Sequence, residues 1–306
     1  MLEPYTGTYR EHYRDEVRTC GGDRSGTVSY RFNSLGFRCE EFDPDARRRV
    51  FVCGCSFTIG EGLAVEEAWP SVFARLYAAA HGLDRREVSL MNFSQSGASN
   101  DYIARTLLAQ VGAERPDLVL ALFSEPSRVE YVYSPDEIAG LAATADFATL
   151  RGRPASSALG PWLPHGWLSR RRLVAAGPSK WRPHSARVLQ WASRHYRNPH
   201  PVNELASTLR SMLLVKYFLE NRRIPYLCSI IEPKHILDPR WSDHPALGSL
   251  WRAATAPPFC RPFLDEGGEA LDRAADGLHP GPDSHRAFAE RIFADYRNAH
   301  VPATPS

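Results

Sequence analysis

Three short apolar runs, at residues 50–53, 88–93 and 117–123, alternate with two helix-length segments, and this alternation constrains the fold more than any other feature of the chain. Short, largely apolar runs of this length are the mark of strands buried on both faces. In the first intervening segment Trp69, Val72, Phe73 and Leu76 recur at helical spacing, with Pro70 in the first turn and Gly82 beyond the last. The second follows Gly97-Ala98-Ser99-Asn100 and puts Ile103, Leu107 and Val111 on one face. Strand, helix, strand, helix, strand with short connections requires parallel pairing and right-handed crossovers. The expected fold is therefore α/β, a three-layer α/β/α sandwich with a central, mostly parallel sheet wound as in flavodoxin. A helix near residues 204–221, a strand at 225–231 and a last helix bearing Phe288, Ile292 and Tyr296 continue the pattern.

Sites in such sheets lie beyond the carboxyl ends of the strands, where Ser56, Gly97 and Ser124 emerge. Gly54-Cys55-Ser56 reads as a sharp passage from strand to helix that presents the serine at the sheet edge. Far downstream, Asp276 and His279 stand three residues apart before the last helix, a spacing at which the carboxylate can orient the imidazole. The three make a candidate Ser-His-Asp triad. His285 is expected on the outer face of the last helix, and Cys53 and Cys55 as small buried residues at a strand end.

With 306 residues, 43% of them hydrophobic, the chain can bury one large core plus an insertion. Residues 1–48 read as an N-terminal elaboration packed on the core, with a hairpin in TVSYRFNSLGFRCEEF turning at Asn33-Ser34-Leu35-Gly36. Residues 49–306 form the main domain, interrupted by a large cap insertion at about 131–201 that is rich in Pro, Gly, Arg and Trp. Between residues 147 and 203 there is no acidic residue and there are ten Lys and Arg, although the net charge of the chain is only +2. Such a cap is either a solvated cover or a lid that meets an anionic substrate or partner, such as a phosphopantetheine-bearing carrier protein, coenzyme A or an acidic glycan. The near-neutral total and the lack of a binding motif argue against nucleic acid. Six cysteines without a CxxC pair are expected as reduced thiols, with no metal and no cofactor. No stretch reaches the roughly 20 apolar residues of a membrane span, and the first residues lack a secretory pattern, so a cytoplasmic protein is expected.

Several motifs together resemble the SGNH (GDSL-type) hydrolases. Gly54-Cys55-Ser56 with Thr58 and Gly60 is similar to that family's first block, Ala68-Trp69-Pro70 to a common companion, NFSQSG at 92–97 to its second block, and DGLHP at 276–280 to its fifth. The resemblance implies that Ser56 is the nucleophile, His279 the general base and Asp276 its orienting partner, with the backbone N–H groups of Ser56 and Gly97 facing the oxyanion. It also implies hydrolysis of an ester or thioester through an acyl-enzyme. An acyltransferase with a non-water acceptor uses the same triad, and a catalytically silent member binding glycan or protein is the third reading.

Two positions depart from the family pattern. Cys55 stands where an Asp is usual, and the third block, normally GxND, reads FSEPSR at 123–128 and lacks the oxyanion asparagine. Asn100 is the first candidate to replace that donor, or else a helix N-cap. Arg128 is the second, with an ion pair to Glu125 or Glu130, or a grip on a substrate carboxylate or phosphate, as its other readings.

Overall fold

The computed structural model describes residues 1–2, 16–20, 26–128, 201–265 and 267–300. An antiparallel pair, β1 (Glu16–Cys20) and β2 (Gly26–Tyr30), precedes a sheet of β3 (Arg48–Cys53), β4 (Val88–Asn92), β5 (Leu118–Phe123) and β6 (Tyr226–Ile230). The sheet has the order β4-β3-β5-β6, with every neighbouring pair parallel. Val50 lies level with Leu90 on one side and Leu118 on the other. Every residue of β4, β5 and β6 is buried, as is β3 from Val50 onward, which explains why these strands read as largely apolar runs, with Ser89, Asn92 and Ser229 as buried polar exceptions.

Around the sheet are α1 (Ser56–Ile59), α2 (Trp69–Ala80), α3 (Asn100–Ala113), α4 (Pro201–Asn221), α5 (Pro233–Ile236), α6 (Gly248–Thr255) and α7 (Pro282–His300). Because β4 and β5 flank β3 on opposite sides, right-handed crossovers carry α2 and α3 to opposite faces of the sheet. There α2 packs against α7 and α3 against α4, which completes the expected α/β/α layers. Ser56, Gly97 and Ser124 all follow carboxyl ends of parallel strands. Among the described residues no helix is long and apolar enough to cross a membrane.

Two local expectations change. The buried face of α2 is Trp69, Phe73, Ala74, Tyr77 and Ala78, while Val72 and Leu76 are only half-buried. Aromatic packing on α7 turns the helix: Phe73 meets Phe293 and Tyr296 at 5.9 and 6.1 Å between ring centres, and Tyr77 meets Tyr296 at 5.3 Å.

The hairpin lies at β1 and β2 and does not turn at Asn33–Gly36. That tetrapeptide is a turn, with the Gly36 N–H donating to the Asn33 carbonyl, but a closed loop follows it instead of a strand. The Asn33 carboxamide oxygen accepts from the N–H groups of Leu35 and Phe37, and its nitrogen donates to the Glu40 carbonyl. These bonds replace a ladder and drop Phe37 edge-on against Phe93 and Phe42 against Phe51. Phe37 thus joins the core and Leu35, Cys39 and Phe42 pack against it, where burying a phenylalanine contributes about 1.5–3 kcal/mol. The cap insertion, with its tryptophans and basic run, lies almost wholly outside the described residues.

Candidate active site

The Ser56 side of the site begins where β3 runs out. A side chain at Gly54 would collide with Thr58, so the turn that lifts Ser56 off the strand needs glycine at that point. Cys55 is extended, and α1 is a single turn that ends at Gly60 in the left-handed region, φ +76°. Ser56 is 6% exposed, and its hydroxyl faces the Cys55 sulfur at 3.9 Å. Cys53 and Cys55 are themselves fully buried and free.

The loop after α1 is held from outside. Arg38, 1% exposed, donates to the carbonyls of Ile59 (3.0 Å), Gly60 (2.7 Å) and Leu63 (2.6 Å). Its guanidinium lies 3.8 Å from the centre of the Tyr30 ring, and the Tyr30 hydroxyl accepts the Gly62 N–H at 2.6 Å. Charge-assisted bonds to carbonyls that end a helical turn are among the stronger ones available to a loop. The stretch read as an N-terminal elaboration therefore braces the loop that follows Ser56.

The His279 side is the loop before α7. Asp276 Oδ1 accepts the N–H groups of Leu278 (2.9 Å) and His279 (3.0 Å), which leaves Oδ2 to meet His279 Nδ1 at 2.5 Å. Gly277, φ +69°, permits the tight turn between them. The two loops are joined by the Ala275 N–H, which donates to the Gly62 carbonyl at 3.1 Å, and a side chain at Gly62 would stand 3.0 Å from Asp276 Cγ. Phe57, next to the serine, lies edge-on to His279 at 6.0 Å.

Electrostatics follow from these contacts. Burial alone would lower the pKa of His279, but the bond to Asp276 and the charges of Glu61 and Asp276 outweigh it and hold the imidazole above its usual value, while Arg128 pulls the other way. Burial likewise pushes Asp276 up, and its bonds from His279 and Leu278 win, leaving the carboxylate below its usual range.

Glu61 was not anticipated. It stands between Gly60 and Gly62, and its Oε2 lies 3.3 Å from His279 Nε2 while Oε1 accepts a short hydrogen bond from Ser96. The only sequence signal was an acidic residue between two loop glycines. Glu61, Asp276 and His279 are close enough to be weighed as a metal cluster. The two carboxylates meet different ring nitrogens of His279, Asp276 at Nδ1 and Glu61 at Nε2, both within ion-pair reach.

Ser56, at the start of α1, and the loop that carries Asp276 and His279 lie at one edge of the sheet, and the loop after α1 touches that second loop through Gly62 and Ala275. Gly97, φ +72°, lies in the loop after β4 beside Ser96, and among the described residues neither its N–H nor that of Ser56 donates to a protein acceptor. Asn100 is placed otherwise than expected. Its amide nitrogen donates to the Ser124 carbonyl (3.0 Å) and Thr208 Oγ1 (2.9 Å), and its oxygen accepts the Ser124 N–H (2.7 Å). Both amide hydrogens are committed to the joint between α3, α4 and the end of β5, and none is left for an oxyanion. The α3 N-cap is Ser99, whose hydroxyl accepts from the Tyr102 N–H. Arg128 is half-buried near enough for its charge to act on His279. His285 is not on an outer face; it is fully buried, with Nδ1 accepting the Trp69 N–H at 3.0 Å.

No protein-family model matches the chain, and no curated protein does. Among solved structures it is similar to TesA (15% identity, 82% of this chain and 99% of that one, TM-score 0.41). It is also similar to the psychrotrophic esterase EstA from Pseudoalteromonas sp. (14%, 82% and 98%, TM-score 0.42). A third is Axe2, an acetylxylan esterase from Geobacillus stearothermophilus (11%, 82% and 94%, TM-score 0.39).

Proposed function

We propose that the chain is a serine hydrolase of SGNH type that cleaves an ester or thioester. The observation that carries this reading is the Asp276–His279 pair, bonded at 2.5 Å and fastened through Ala275 to the loop that follows Ser56. A serine hydroxyl needs a base, a group that fixes the base, and donors for the developing oxyanion. In the reaction Ser56 Oγ attacks the carbonyl carbon and its proton passes to His279 Nε2, while Asp276 stabilises the imidazolium. The oxyanion accepts hydrogen bonds from the N–H groups of Ser56 and Gly97. His279 then returns the proton to the departing alkoxide or thiolate, and a water molecule repeats the cycle on the acyl-serine.

The absent third-block asparagine removes a donor that is typically worth about 3 kcal/mol, so turnover below that of an enzyme with three donors is expected. The test is labelling by a fluorophosphonate probe. Wild type is expected to label and Ser56→Ala not to; folded wild type that stays unlabelled overturns the reading.

A further inference from the structure

We propose that Glu61 is a further catalytic residue, a second carboxylate that grips the Nε2 edge of His279 and stabilises the imidazolium formed when Ser56 gives up its proton. This rests on the serine hydrolase reading above. A neutral ring has one N–H, so of two carboxylates placed at its two nitrogens one must face a lone pair. Here Asp276 sits 2.5 Å from Nδ1 and Glu61 3.3 Å from Nε2. Both contacts are satisfied only when both nitrogens carry hydrogen, so the site is built around the protonated base.

The placement of Glu61 is not that of a loose surface side chain. Ser96 donates to its other oxygen, and the glycines on either side are fixed by Arg38 and by the Tyr30 hydroxyl. Ser96 also adjoins Gly97, so the same short loop steadies Glu61 and presents an oxyanion N–H. The charged groups around His279 are Asp276 from its own loop, Glu61 from the nucleophile loop and Arg128 from the segment after β5. Buried His285, on α7, is close enough to feel the His279 charge. The negative pair outweighs the single arginine, in line with the raised pKa of His279.

A group that binds the base more tightly once it is charged lowers the barrier to the step that charges it. It has a cost at acid pH, because it also favours the protonated resting base, which cannot accept the serine proton. Among the described residues no hydrogen bond joins Ser56 to His279, in keeping with an imidazole that is turned to Glu61 before substrate arrives.

The experiment compares wild type, Glu61→Gln, Glu61→Asp and Ser96→Ala by the pH dependence of p-nitrophenyl acetate hydrolysis and of fluorophosphonate labelling. His279 ring titration is followed by NMR in a Ser56→Ala background. Glu61→Gln keeps the shape and removes the charge. Its plateau rate is expected to fall about tenfold, its acid limb to move to lower pH, and the His279 titration to move with the limb. Ser96→Ala should shift the limb the same way by less, and Glu61→Asp should restore part of the plateau. Wild type that labels, beside a Glu61→Gln protein with an unmoved limb and an unmoved His279 titration, overturns the role of Glu61 alone. Wild type that neither turns over nor labels overturns the hydrolase reading, and the catalytic role of Glu61 with it.

Discussion

The loop that carries His279 and the first turn of α7, which carries His285, place two identical side chains six residues apart in opposite environments. His279 has a carboxylate at each nitrogen and is held above its usual pKa. Among the described residues His285 has one hydrogen-bond partner, the Trp69 N–H at Nδ1, and its buried Nε2 has none, while the Phe263 ring lies edge-on at 5.1 Å. Burial, helped by the nearby His279 charge, pushes His285 down to about 3. The lesson is that the loop supplies counter-charge where the helix supplies only packing, so one ring is made to change charge and the other to stay neutral.

The largest expected effect comes from converting the partner of His279. In Asp276→Asn the carboxamide oxygen can still accept from the Leu278 and His279 N–H groups, so the turn survives. Its NH₂ would face Nδ1 and force the proton to Nε2, the wrong tautomer for a base. A fall of about 10³–10⁴ in kcat is expected, with little change in Tm. An equal loss of both would mean that the pair is structural.

The second prediction separates the histidines by stability. His285 has a folded pKa below its unfolded one, so the unfolded chain takes up a proton that the folded chain refuses. Its contribution is present above about pH 6.5 and is lost as pH falls toward 3, at up to about 1.4 kcal/mol per pH unit. His279 runs the other way: its stabilisation is full below its unfolded pKa and is lost as pH rises through the raised folded value. His285→Gln, which keeps an acceptor for Trp69 and does not titrate, should remove roughly 2–3 kcal/mol of the loss between pH 6.5 and 4.5. Urea unfolding at the two pH values measures this, and an unaltered difference would place the acid sensitivity elsewhere.

The same contrast marks how much of the molecule was legible in the sequence. The four strands are legible because full burial leaves largely apolar runs, and Ser56, Asp276 and His279 stand out because glycine-bearing turns flank them. His285 was misread although its position was available: it lies three residues before Phe288, on the stripe continued by Ile292 and Tyr296, and so belongs inside. Glu61 and Arg38 were not legible in the same sense. Their partners are distant in sequence, and a loop glycine grants freedom without fixing direction, so nothing local says that a carboxylate will reach Nε2 or that an arginine will seal three carbonyls.

Asn100 gives the smallest expected effect on chemistry and the clearest test of where the oxyanion donors lie. Its neighbour Gly97 has a positive φ and an N–H with no protein acceptor among the described residues, whereas the Asn100 carboxamide is spent on Ser124 and Thr208. Asn100→Ala would strand the buried N–H and carbonyl of Ser124, at about 2–3 kcal/mol of stability. Activity per folded molecule should change by no more than about threefold, since no reacting atom loses a partner. A thermal melt paired with active-site titration separates the two quantities. If kcat instead falls by about tenfold or more while Tm holds, the carboxamide must turn toward the oxyanion during turnover, and the Ser124 brace would be a resting arrangement that substrate displaces.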